Sequence, residues 1–258
     1  MEGMPICATC GVQGPGPACP ICEDSRQYVP PTGQRWTTQA ELQATHRNIF
    51  REEEPGVWSI VTEPSFAIGQ RAFLIQTPEG NLLWDCITLL DEETISTVNK
   101  MGGLRAIAVS HPHYHSTMSD LARVFDAPLW IHENDTPWVQ EPGPRYWRGS
   151  RQTLFGGLTL ICSGGHFDGY QVAHWDRGRL FAGDQPQVCL DRRWVSFLYS
   201  FPNMIPFNAK QIRQITGSLE PWSFDRLYGA FGRHVLTDAK GAIARSAERY
   251  LKAIAEPD

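Results

Sequence analysis

Ser110-His111-Pro112-His113-Tyr114-His115 follows directly on the apolar run Leu104-Arg105-Ala106-Ile107-Ala108-Val109, setting three histidines at alternate positions after a predicted strand. A strand that ends in alternating imidazoles can aim several of them at one point, which a divalent metal of borderline softness requires. The stretch reads as a metal site.

The rest of the chain sets bounds on that reading. At 258 residues it is long enough for one α/β domain with a small appendage. The formal charge of -5 comes with no cluster of Lys and Arg, so no nucleic-acid partner is expected. No apolar run approaches the ~20 residues that cross a bilayer, and the N-terminus lacks the basic and apolar regions of a secretory signal. The expectation is a soluble cytoplasmic protein with no membrane partner.

Of the seven cysteines, four fall as Cys7-x-x-Cys10 and Cys19-x-x-Cys22, while Cys86, Cys162 and Cys189 are scattered. Paired CxxC knuckles in a chain without an export signal suit a tetrahedral thiolate site better than disulfides or a redox pair, so Cys7, Cys10, Cys19 and Cys22 are assigned a structural Zn2+. The tip is too rich in Gly and Pro to build its own core, and its folding should depend on that metal. Val29-Pro30-Pro31-Thr32-Gly33 is a linker. Residues 1–34 are therefore read as a zinc-knuckle segment and 35–258 as the main domain.

Within the main domain, Thr38 with Glu41 has capping-box spacing and opens a predicted helix to about residue 51, stopped by Pro55-Gly56. Strands are predicted at 57–62, 71–76, 81–86, 104–109, 128–132, 158–162, 170–175, 179–182 and 226–230. Asp91 caps a helix ended by Gly102-Gly103. Another helix covers 118–125, Asn208 caps a further one, and Thr237 or Asp238 starts the last. Strands and helices in this order imply a layered α/β (α+β) architecture.

Three further places offer donors at strand ends. Gly164-Gly165-His166-Phe167-Asp168-Gly169 follows one strand, Leu180-Phe181-Ala182-Gly183-Asp184 ends another, and Gly232-Arg233-His234 follows a third. Their order and spacing resemble the metallo-β-lactamase superfamily over roughly residues 57–240. That resemblance implies a four-layer αββα sandwich whose metal centre lies at one edge of its sheets. His111 and His113 match the first two histidines of the signature His-x-His-x-Asp-His, His166 the third histidine, Asp184 the bridging carboxylate and His234 the last histidine. Asp85 matches the early strand-end Asp that supports the site. The chain departs at His115-Ser116, where the superfamily has Asp-His. His111, His113 and His166 are thus the expected first metal site, with Asp184, His234 and His115 left for a second ion, so one or two divalent ions are expected.

The resemblance implies a metallo-β-lactamase-fold metallo-hydrolase. Metal-bound hydroxide would attack an ester, thioester, lactone, amide or phosphodiester of a small-molecule substrate, with Asp184 orienting it and His115 as ligand or general base. Zn2+ is the first choice of metal, with Fe and Mn as alternatives. Two other readings stay open. One is a mononuclear iron oxidoreductase of persulfide-dioxygenase type, and the other is a binding protein that has lost activity on the same fold.

Tyr146, Trp147, Trp194, Phe197 and Tyr199 are read either as an apolar pocket over the metal or as packing, with Arg192 or Arg193 as candidates for an anionic group. His46, His132 and His174 lack motif support and are read as structural, as are Asp120 and Asp168. A homodimer is one option for the assembly, with the knuckle docked on the main domain or across the dimer.

Overall fold

A computed structural model describes residues 4–255 and divides into two compact units, the first including everything to Ile131 together with Asp135–Tyr146, the second His132–Asn134 and the chain from Trp147 onward. The first carries a seven-stranded sheet in the order Arg47–Glu54, Val57–Glu63, Ala72–Thr77, Gly80–Trp84, Ala106–Ala108, Leu129–His132 and Arg145–Trp147. Ala72, Phe73, Leu74 and Ile75 are all fully buried, the pattern of a central strand covered on both faces. Strands Gly80–Trp84, Ala106–Ala108 and Leu129–His132 run parallel. Their crossovers are the helices Glu92–Lys100 and Met118–Val124.

Parallel pairing has a functional consequence: the carboxyl ends of Gly80–Trp84 and Ala106–Ala108 emerge at one edge, where Asp85 and the histidine loop follow. The intervening helix is placed by local chemistry. Asp91 Oδ1 accepts the Thr94 backbone N–H at 2.8 Å, a cap worth ~1 kcal/mol. Gly102 and Gly103 end it at φ +106° and +67°.

The helix expected from Thr38 to about residue 51 is shorter. Thr38 and Glu41 do form the reciprocal capping box, but the helix covers only Gln39–Gln43. Arg47–Glu54 is instead the edge strand of the sheet, paired antiparallel with Val57–Glu63 around the Pro55-Gly56 turn. Its charged side chains suit an edge strand, where charge opposes pairing with foreign strands, and sheet pairing overrides a helix-compatible composition.

The second unit holds a six-stranded sheet in the order Arg151–Thr153, Leu158–Cys162, Gln171–Trp175, Arg179–Phe181, Arg226–Tyr228 and His234–Val235. Arg179–Phe181 and Arg226–Tyr228 are parallel, so Asp184 and the His234 loop also follow strand ends at a shared edge. Helix Ala209–Leu219 starts at Asn208, which forms a second reciprocal capping box with Gln211. It packs on helix Ala239–Ile254 and on strand Leu158–Cys162. Between Asp184 and this helix lie two short hairpins, Gln187–Val188 with Val195–Ser196 and Leu198–Ser200 with Ile205–Pro206. No helix among the described residues is long and apolar enough to cross a membrane.

Candidate metal centre

The histidine loop is built from Asp85 outward. Asp85 is 1% exposed, its backbone is left-handed at φ +60°, and its Oδ1 accepts the Ser110 backbone N–H at 2.7 Å. Ser110 Oγ then lies 2.8 Å from His111 Nδ1. A hydroxyl holding Nδ1 in this way leaves Nε2 to ligate and fixes the ring's orientation. After His111, whose backbone is extended, Pro112–Tyr114 forms a single 3₁₀ turn. The ring centroids of His111 and His113 are 5.0 Å apart.

His115 closes that turn, its backbone N–H bonded to the Pro112 carbonyl. With ~3 residues per turn, side chains two positions apart point in different directions. His115 is buried and lines a small cavity with Val12, Gln13, Ser116, Met118, Ser119 and Glu141. Burial, then the charges of His111 and His113, push its pKa down to about 3, against a hydrogen bond with the Trp138 backbone. Ser116, at φ +47°, accepts from Gln70 Nε2 at 2.9 Å and lies 3.3 Å from the Cys86 carbonyl.

In the second unit, His166 follows two glycines in left-handed backbone. At Gly165, φ is +96° and a Cβ would come within 2.6 Å of Gln185 Nε2 and 2.8 Å of Ile215 Cδ1, so only glycine fits this approach. Gln185 Oε1 accepts the His166 backbone N–H at 3.0 Å, and the Gln185 backbone N–H donates to the Tyr170 hydroxyl at 2.8 Å. The residue after Asp184 therefore locks the residues before His166. His166 Nε2 lies 3.6 Å from Asp184 Oδ2, close to the ~3.3 Å between neighbouring ligand atoms of a tetrahedral ion with bonds of ~2.0 Å.

His111, His113, His166 and Asp184 form a donor set: one ligand atom from each lies within 4.8 Å of the others, and all four residues are buried. Three imidazoles and a carboxylate are the chemistry of a divalent transition-metal site. The set contains neither His115 nor His234. His234 Nδ1 accepts the Gly229 backbone N–H at 3.3 Å, and its ring is 4.9 Å from that of Tyr228.

Cys7, Cys10, Cys19 and Cys22 form a second set. Cys7 and Cys22 Sγ are 3.6 Å apart, as are those of Cys10 and Cys19. These separations are far beyond a disulfide's ~2.05 Å and close to the ~3.8 Å edge of a tetrahedral site with Zn–S bonds of ~2.3 Å. Hydrogen bonds with Cys10, Cys19 and Cys22 pull the Cys7 pKa down, while those with Cys19, Cys22 and Cys7, together with burial, push that of Cys10 up. Gln34 Nε2 donates to Cys7 Sγ at 2.8 Å. The knuckle is tied to the histidine loop of its own unit, with the Gln13 backbone N–H donating to the Ser116 carbonyl at 3.1 Å and Gln13 Nε2 to Asp120 Oδ2 at 2.8 Å.

The aromatic candidates occupy different settings. Trp147 and Phe197 are buried, Trp147 Nε1 donating to Gln171 Oε1 at 2.9 Å and Phe197 meeting Tyr250 edge-on at 6.0 Å. Tyr146 is 44% exposed, Tyr199 half-buried, and Trp194 lines a cleft. Arg192 donates to the Cys189 carbonyl at 3.1 Å, and Arg193 pairs with Asp191 at 2.7 Å. The three histidines outside the motifs hold structural bonds. His132 Nε2 lies 3.0 Å from the Gly149 carbonyl, His174 Nε2 2.9 Å from that of Ser223, and His46 Nδ1 2.8 Å from Thr45 Oγ1. Sequence reasoning missed Ser110, Gln185, Gln70 and Gln13. Adjacency to His111 and Asp184 was the only signal available for the first two.

Fold and donor sets together define a metallo-β-lactamase-fold protein with a four-cysteine cluster. Solved structures agree on the fold. VMB-1 superposes with a TM-score of 0.63 at 12% identity, covering 81% of this chain and 99% of that one. FIM-1 from Pseudomonas aeruginosa, in its mono-zinc form, gives 0.61 at 13% identity over 81% and 97%. TTHA1623, in a di-iron-bound form, gives 0.52 at 20% identity over 73% and 97%. In sequence, the chain is 46% identical over 263 residues to the uncharacterized protein YmaE of Bacillus subtilis (strain 168), with 96% of each chain covered, and it belongs to the same family as that protein. No protein-family model matches it.

Proposed function

We propose that the chain is a metal-dependent hydrolase acting on a small-molecule ester, thioester, lactone, amide or phosphodiester. His111, His113 and His166 would hold one divalent ion, with zinc the first choice and iron or manganese the alternatives. The observation that carries this reading is the burial of three imidazoles and a carboxylate with ligand atoms within 4.8 Å of one another. A divalent ion held there supplies Lewis acidity, polarising a carbonyl or phosphoryl oxygen and lowering the pKa of water.

The protein's own groups divide the remaining work. Ser110 and the turn at Pro112 orient His111 and His113, and Gln185 fixes the backbone of His166. Asp184, 5% exposed and beside His166, is assigned to orient the attacking water and take its proton. Proton handling goes to Asp184 rather than His115 because His115 faces the cavity at the knuckle. We place the protein in the cytoplasm, where unpaired knuckle cysteines stay reduced.

Metal-loaded protein assayed on a panel of these bond types should cleave at least one, and Asp184→Asn should lower the rate by ~10²-fold or more. Equal rates in the variant would remove the assignment. One observation favours a second reading, a mononuclear iron oxidoreductase: the donor set is complete without His115 or His234. Iron as the resident metal, with oxygen consumed on a thiol substrate and no hydrolysis, would select it.

A further inference from the structure

In the second unit, a cleft of about 600 Å³ opens beside the hairpin Gln187–Val188 and Val195–Ser196. Its apolar wall includes Val188, Leu190, Trp194 and Phe201, and Arg233 and Arg249 stand at its polar side. Leu190 is 80% exposed, a large apolar side chain left uncovered at the rim. Phe201 connects this cleft to the metal donors, because its ring centroid lies 6.1 Å from that of His166.

The charges here are not balanced by the protein. Asp191 also lines the cleft, but the Arg193 guanidinium donates to both its oxygens, at 3.0 and 2.7 Å, and so offsets part of its charge. Arg233 and Arg249 have no carboxylate partner among the described residues. Both guanidiniums act on one point: burial raises the pKa of Cys189, a residue of the same cleft, and Arg249 and Arg233 oppose that rise while Asp191 adds to it. Arg249 is also held in place, with Cζ 3.6 Å from the centre of the Trp194 ring. Stacking of this kind leaves the N–H edge of a guanidinium free to donate. Two such donors beside an apolar wall are the chemistry that recognises an oxyanion attached to an apolar group.

We infer that this cleft is the substrate-recognition site for an anionic amphiphile, its carboxylate or phosphate held by Arg233 and Arg249 and its apolar part lying against Leu190, Trp194 and Phe201. The inference rests on the hydrolase reading for the word substrate, and the binding itself can be tested without turnover. The scissile bond would extend past Phe201 toward His166 and Asp184.

The test is calorimetric titration of the full-length, metal-containing protein with hexanoate, hexyl phosphate, inorganic phosphate and 1-hexanol. At least one of the two hexyl anions should bind more tightly than 1-hexanol or inorganic phosphate, and which of them binds better identifies the oxyanion. Arg233→Gln and Arg249→Gln should each weaken that binding about tenfold or more, the loss of one charge-assisted contact. Arg192→Gln should change it less than twofold. A His113→Ala protein depleted of its histidine-bound metal should still bind the anion, which separates the cleft from direct ligation of the ion.

Absence of binding by either hexyl anion overturns the inference. So does binding indifferent to both arginine variants, or binding lost only with the metal. Anion binding that persists in a protein without hydrolytic activity would instead retain the cleft as a ligand site and remove the hydrolase reading.

Discussion

Ser110 donates its backbone N–H to Asp85 Oδ1 at 2.7 Å, so a carboxylate that need not touch the metal sets the position of the first histidine ligand. The chain of contacts continues through Ser110 Oγ to His111 Nδ1. Asp85→Ala should lower affinity for the histidine-bound metal by ~10- to 100-fold, the usual effect of losing an outer support. Asp85→Asn should be milder, because it keeps an oxygen acceptor and tolerates the left-handed backbone. Competition with a chromophoric chelator measures both. Equal affinity in Asp85→Ala would mean that the loop holds its shape unaided.

The knuckle should stabilise the same loop from its other side. Gln13 bonds both the Ser116 carbonyl and Asp120, and Thr88 Oγ1 donates to the Gly11 carbonyl at 3.1 Å. Cys10→Ser should remove about one zinc per chain and speed amide hydrogen exchange across 113–121, since folding of such a segment is linked to its metal. Zinc loss with unchanged exchange in those residues would separate the knuckle from the loop.

What could be read from sequence follows from how local each signal is. The caps at Thr38, Asp91 and Asn208 act within four residues and stand as read. Donors at strand ends were legible because strand, small residues and ligand type are contiguous. Arg47–Glu54 was not, since its strand state depends on pairing with Val57–Glu63 rather than on its own composition. The 3₁₀ turn between His111 and His115 is equally silent, because alternate spacing implies convergence only on extended backbone, and the donor set does not include His115. Arg233 lay inside a motif chosen for His234, and nothing in Gly232-Arg233-His234 says which cleft the arginine faces.

Gly165→Ala should cost both stability and metal affinity. Its φ of +96° is poorly accessible to alanine, and the added methyl would meet Gln185 and Ile215. A loss of ~1–3 kcal/mol is expected from the backbone alone, read from urea denaturation. A variant as stable as the parent would show that the two glycines tolerate a shift of His166.

Glu141, in the cavity shared with His115, has a raised pKa, chiefly because burial penalises its charge, with Asp120 adding to this and Ser119 and Arg123 opposing it. A carboxyl whose folded pKa exceeds its unfolded value binds more protons when folded. Its charge therefore destabilises the protein increasingly as pH rises through that interval, and the cost persists at neutral pH. Glu141→Gln should be more stable than the parent at pH 7, with the difference vanishing below about pH 4, where both states of the parent are protonated. Denaturation at the two pH values decides it, and an advantage independent of pH would assign the gain to packing.

The central claim is that the imidazoles at positions 111, 113 and 166 clasp one ion beside the carboxylate of 184, apart from the metal of the four cysteines. Elemental analysis of purified protein measures it most directly, comparing the parent with His113→Ala, His166→Ala and Cys10→Ser. The account predicts that each histidine variant loses the same ion while retaining the cysteine-bound zinc, and that Cys10→Ser shows the opposite loss. Histidine variants with the full metal content of the parent would contradict it.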